Sequence, residues 1–176
     1  VQTCALPIFM CGALSEKKDP ATELAFARSL INRVVEGLPR ERVALHMCRG
    51  NWTPDESAAL AGNYEPLVEM LGALNVGTLF LELCTPRAGE MEVLRTLPRS
   101  LRIGVGVVNQ KHPRIETVDE IVARGREAIR LFGAERVLLT PDCGFATFAD
   151  NPVSSAAIAE QKLHSIAQAS AILRRG

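Results

Sequence analysis

Three apolar runs in this chain each end in a side chain that can bind a soft metal. Val43-Ala44-Leu45 leads into His46-Met47-Cys48, and Thr78-Leu79-Phe80-Leu81 leads into Glu82. Arg136-Val137-Leu138-Leu139 passes through Thr140-Pro141-Asp142 into Cys143. If these runs are neighbouring parallel strands, their ends share one edge of one sheet. An imidazole, a carboxylate and two thiolates would then meet there, and that donor set suits zinc. His46 and Cys48 are two residues apart. On a strand they face the same side, about 6.6 Å apart, whereas on a helix they would point about 200° apart. Zinc would keep both thiols deprotonated and would offset the cost of ionising Glu82 in an apolar setting. Plainer roles stay open on the residues alone. A buried Cys is usually a small hydrophobe, His46 could hydrogen-bond within a core, and Glu82 could pair with Arg87.

These side chains need strands to present them. Apolar, β-branched runs begin near Val43, Val76, Leu101 and Arg136, with helical segments between them. That alternation predicts βα units and a parallel sheet. Asp19 before Pro20 starts the first helix as N-cap and first helical residue. Leu24, Ala27, Leu30, Ile31 and Val34 give it one apolar stripe, and Gly37 and Pro39 end it. A long loop, Arg49 to Gly62, holds Gly50, Asn51, Trp52 and Pro54. Asn63 caps a second helix, with Pro66 early and Leu67, Val68, Leu71 and Leu74 inside. Strand Gly77–Leu83 and a short helix, Gly89–Leu97, follow. Strand Arg102–Val108 carries Gly104 and Gly106, which permit close approach of a ligand or another backbone. Thr117 and Glu120 form a capping box for a helix that ends at Gly133. After strand Arg136–Pro141, a last helix spans roughly Val153 to Arg174, with apolar Ile158, Leu163, Ile166, Ala169 and Leu173.

Four βα units are half of an eightfold barrel or a small open sheet. Both place their active sites at the carboxyl ends of the strands, where the four candidate ligands lie.

The remaining bulk properties exclude more than they select. The chain has 176 residues, 47% of them hydrophobic, which suffices for one core-forming domain without a linker. Twenty basic and 20 acidic residues balance, so electrostatics make no case for nucleic acid or an acidic membrane. No apolar stretch approaches the ~20 residues that span a bilayer. Five cysteines at irregular spacing make a poor disulfide framework and fit a reducing compartment, with cytoplasm the default. The opening Val1-Gln2-Thr3-Cys4-Ala5-Leu6-Pro7-Ile8 lacks Met and a charged region and does not read as a signal peptide. It reads as a junction artefact. Residues 1–18 are set aside as a doubtful segment, and 19–176 are taken as the folded unit.

The residues also resemble a known family. His46-Met47-Cys48-Arg49-Gly50-Asn51, Phe80-Leu81-Glu82, Ile103-Gly104-Val105-Gly106-Val107 and Pro141-Asp142-Cys143-Gly144 look like the C-terminal catalytic barrel of cobalamin-independent methionine synthases and their shorter relatives. The likeness covers roughly Asp19 to Arg174. It implies an α/β (β/α)8 TIM barrel, of which this N-terminally truncated chain supplies about the last four βα units. It implies Zn2+ held by His46, Cys48, Glu82 and Cys143. The implied reaction moves a methyl group from 5-methyltetrahydrofolate, or its polyglutamate form, to a thiol such as homocysteine, giving methionine. In the synthases a histidine after the glycine-rich strand is a candidate proton donor. Its place here is taken by Lys111, with His112 next. Asn51 and Trp52 are candidate substrate contacts, and Trp52 could stack on a pterin or simply pack its loop. Within the same superfamily, a corrinoid-linked thiol methyltransferase and a uroporphyrinogen decarboxylase-like enzyme are alternatives, as is an inactive zinc-binding fragment. A half barrel also leaves sheet edges open to self-association.

Overall fold

The computed structural model describes residues 19–49, 55, 62–85, 91–148 and 151–175. Residues 1–18, and with them the expectation about the first eighteen positions, lie outside that description, as do Asn51, Trp52 and Arg87.

Helix α1 (Pro20–Val34) begins as its residue types require: the Asp19 side chain accepts the Thr22 N–H at 3.0 Å. Strand β1 (Ala44–Met47) follows. The segment after Asn63 differs from the expected helix. Asn63 Oδ1 accepts the Glu65 N–H, and a 3-10 turn (Glu65–Leu67) precedes a five-residue helix, α2 (Val68–Gly72). After strand β2 (Thr78–Leu81), the short helix expected over Gly89–Leu97 is a 3-10 helix, Met91–Thr96. Pro98 follows it, and the residue before a proline is disfavoured in the α region, so the segment stays short. Strand β3 (Arg102–Val108) leads to helix α3 (Val118–Phe132). The Thr117–Glu120 capping box is formed at its start, and Gly133 at φ 91° ends it. Strand β4 (Val137–Pro141) and helix α4 (Ala156–Leu173), capped by Ser155, complete the pattern. Between them lies an antiparallel pair, β5 (Ala146–Phe148) and β6 (Asn151–Pro152), which the sequence reading did not anticipate.

Strands β1 to β4 form one parallel sheet in chain order. Ala44 pairs with Thr78, Thr78 with Arg102, and Ile103 with Val137. Because side chains alternate along a strand, this register gives the sheet two distinct faces. Leu45, Met47, Leu79, Leu81, Ile103 and Val105 point to one face and are buried with residues of the helices: Ile31 of α1, Leu71 of α2, Ile121 and Phe132 of α3, and Ile166 of α4. The other face carries His46, Phe80, Gly104 and Leu138, aligned in one row across the four strands.

Two expectations about helix faces need correction. Leu30 and Val34 of α1, and Leu163 of α4, are exposed. The buried side of α1 is narrower than its apolar stripe, centred on Ala27 and Ile31. The buried side of α4 instead includes Lys162 and Ser165. Among the described residues no helix is long and apolar enough to cross a membrane.

Gly104 is explained by a neighbouring side chain rather than by a ligand. A Cβ there would lie 2.1 Å from Cδ1 of Phe80, its partner on β2. Gly104→Ala is therefore expected to lower stability by about 1–3 kcal/mol through overpacking. Urea unfolding checks this, and an unchanged midpoint would show that the ring yields freely.

Candidate metal centre

His46 lies on β1, and Cys48 lies just past its end with the same parity, so both face the Phe80–Gly104 side of the sheet. Glu82 directly follows β2, and Cys143 stands two residues past β4. Parallel strands in register bring all four to one edge. Their ligand atoms lie within 4.8 Å of one another, and only Cys143 is less than fully buried.

The spacing suits a tetrahedral dication. Two sulfurs each about 2.3 Å from a tetrahedral zinc stand about 3.8 Å apart. Cys48 Sγ and Cys143 Sγ are separated by 3.8 Å and form no disulfide. His46 Nε2 is buried and has no hydrogen-bond partner, a costly state for a polar atom unless something else binds it.

Electrostatics agree. Burial favours neutral His46, but the adjacent Cys48 sulfur and Glu82 carboxylate outweigh it, and its pKa is raised. Cys143 is pushed far up, first by the hydrogen bond it shares with Cys48, then by burial and the charges of Cys48 and Glu82. Like charges about 4 Å apart repel by about 4 kcal/mol at an effective dielectric of 20. Ionising both thiols and the carboxylate in this space is therefore costly, and a bound cation would offset that cost.

The supporting contacts come from residues whose roles were not legible in sequence. Tyr64, fully buried, donates its hydroxyl to the Glu82 carbonyl at 3.1 Å and accepts the Glu82 N–H at 3.0 Å. Burial raises its pKa far above the ordinary phenol value. The Arg49 guanidinium sits 5.2 Å from the centroid of the Tyr64 ring, and the Arg49 N–H binds Glu82 Oε1 at 3.0 Å. Asp142 Oδ1 accepts the N–H groups of Leu83 and Cys84 at 2.8 and 2.9 Å, while its own N–H binds the Val108 carbonyl. Gly106 makes room for it: a Cβ there would lie 1.9 Å from Asp142 Oδ1. Close approach at this glycine is thus made by Asp142. Cys84 stays outside the four-donor cluster, and its pKa is pushed up to about 12, chiefly by burial and then by the Asp142 and Glu116 charges.

The two candidate proton donors are placed differently. Lys111 is buried, with Nζ 3.4 Å from the Asp55 carbonyl, whereas His112 is exposed. Neither belongs to the four-ligand cluster.

Comparison with known proteins places this geometry in a family. The family model described as "Cobalamin-independent synthase, Catalytic domain" matches residues 7–161. The uncharacterized protein YxjH of Bacillus subtilis is 33% identical over 132 residues, covering 73% of this chain and 34% of that protein. The methionine synthase of Pyrococcus abyssi is 31% identical over 153 residues, covering 87% of this chain and 39% of its own length. The chain thus spans well under half the length of these curated relatives. A solved B12-independent methionine synthase from Shewanella superposes with a TM-score of 0.74 at 20% identity, over 99% of this chain and 47% of that one. That likeness carries the fold: an α/β architecture in which this chain supplies four βα units of a (β/α)8 barrel. By the extent of the family match, this chain belongs to the cobalamin-independent synthase catalytic-domain family.

Proposed function

We propose that this chain is the zinc-holding part of an enzyme that transfers a methyl group from a 5-methyltetrahydrofolate-type donor to a thiol, with homocysteine the acceptor that gives methionine. The observation that carries this reading is the convergence of one imidazole, one carboxylate and two thiols within 4.8 Å at the carboxyl edge of the sheet. His46, Cys48, Glu82 and Cys143 would hold Zn2+, with the second imidazole nitrogen of His46 near the Phe80 carbonyl. When bound, zinc supplies a Lewis acid that keeps a substrate thiol ionised at neutral pH. The uroporphyrinogen decarboxylase-like alternative uses no metal and gives this cluster no role.

The chain's own residues account for the remaining steps. With zinc held by these four residues, an incoming thiol would need one of them to yield. Glu82 would be that residue, as the hard oxygen among soft partners, and the Arg49 backbone N–H already bound to Oε1 would receive the freed carboxylate. As the S–CH3 bond forms, the N–CH3 bond of the donor breaks, and the departing nitrogen must take a proton. Lys111 is the proposed source: it follows β3 at the same sheet edge and is buried, whereas His112 faces solvent. Asn51 and Trp52 would contact substrate from the loop after Cys48. A reducing compartment, the cytoplasm, suits free Cys48, Cys84 and Cys143. In the four-stranded sheet β1 and β4 are the edges, where a second copy of the chain could pair.

Two measurements test this reading. Cys143→Ser should abolish zinc retention, read by elemental analysis after dialysis; stoichiometric zinc in the variant would contradict the ligand assignment. Tyr64→Phe removes the hydroxyl that grips both backbone groups of Glu82. Loss of such a supporting contact is expected to weaken zinc binding about 10–100-fold, measured by competition with a chromogenic chelator. Unchanged affinity would show that Glu82 needs no such support.

A further inference from the structure

The segment between β3 and α3, residues 109–116, carries Lys111, and one buried ion pair holds it. Lys162 of α4 is fully buried, and its Nζ lies 2.7 Å from Glu116 Oε2 while also donating to the Arg114 carbonyl. The other oxygen, Glu116 Oε1, accepts the Asn109 N–H at 2.9 Å. Asn109 Oδ1 in turn accepts the Lys111 N–H at 3.0 Å. The pair therefore grips the segment at its start and at two points of its last three residues. Lys111 hangs from that frame, buried, with Nζ 3.4 Å from the Asp55 carbonyl.

A buried charge pair is a poor way to gain stability. Its desolvation cost rivals its attraction, and apolar residues of similar volume usually serve as well. Its value lies in geometry, because two charge-assisted bonds fix a carboxylate far more narrowly than apolar contact does. Asn109 directly follows β3, and β3 lies between the strands that lead to Glu82 and Cys143. A segment fixed there has a defined place relative to the ligand edge.

We propose that Glu116 and Lys162 are positioning residues that hold residues 109–116 so that Lys111 is presented, shielded from solvent, at the reaction centre. This rests on the methyl-transfer reading only for the part Lys111 plays in turnover; the positioning itself has an independent readout. The test uses the zinc-loaded protein and the paired variant Glu116→Leu with Lys162→Met, which removes both charges together and leaves neither buried alone. Lys111 is followed by timed acylation of its amine, read by peptide mass spectrometry. Labelling of Lys111 should accelerate several-fold, with zinc content and unfolding midpoint preserved. Turnover should fall by up to about a hundredfold in kcat, the scale of a misplacement near 1 Å, with KM for the thiol little changed. Lys162→Met alone, which strands the Glu116 carboxylate, should give the same change in labelling with a lower unfolding midpoint. Lys111→Met separates the two ideas. If it leaves turnover intact, Lys111 is not the proton donor, and the labelling result still decides whether the pair positions the segment. Lys111 acylation as slow in the paired variant as in the parent overturns the proposal, whatever Lys111→Met does.

Discussion

One oxygen of Asp142 joins the parts of this site that chain connectivity keeps apart. It binds the N–H groups of Leu83 and Cys84, which follow β2, while the Asp142 backbone is tied to Val108 at the end of β3. The ends of three strands are thereby held together next to Glu82 and Cys143. A buried carboxylate is costly to desolvate, and two charge-assisted N–H bonds to one oxygen offset part of that cost. The arrangement needs Gly106, because any side chain there would occupy the position of the carboxylate. The second glycine of the glycine-rich strand is thus a condition for the ligand geometry, although it touches no ligand.

The sheet supplies the rest by parity. Parallel pairing of Ala44 with Thr78 and Thr78 with Arg102 fixes which residues share a face. His46 and Cys48 reach the same side because they are two apart, and Glu82 joins them because the register aligns His46 with Phe80. A slip of one residue would send the donors into the helix-covered core. Packing of Leu45, Leu79 and Ile103 against the helices therefore selects the face that carries the candidate donors as well as the fold. Once the donors are gathered, their mutual repulsion when ionised would favour a bound cation. Tyr64 adds to this by holding the Glu82 backbone through both polar groups, which fixes the point from which its side chain reaches the cluster.

Much of this was legible in the sequence, for identifiable reasons. Strand β3 and helix α3 are legible with nearly their observed bounds, because the apolar run Ile103–Val108 and a T-x-x-E capping box are strong local signals. The four clustered side chains could be singled out because they stand at or just past the ends of three apolar runs. Tyr64, Asp142, Glu116 and Lys162 could not, since their roles depend on partners 18 to 59 residues away that no local pattern reveals. The β5–β6 pair was missed because its strands are only three and two residues long. The exposed Leu30 and Val34 show the converse limit: helical periodicity marks an apolar stripe but not how much of it a neighbour covers.

The central claim is that two sulfurs, one imidazole and one carboxylate bind a single zinc ion. X-ray absorption at the zinc edge tests it most directly. The account predicts two sulfur scatterers at about 2.3 Å and two nitrogen or oxygen scatterers at about 2.0–2.2 Å. A first shell of nitrogen and oxygen alone would contradict it.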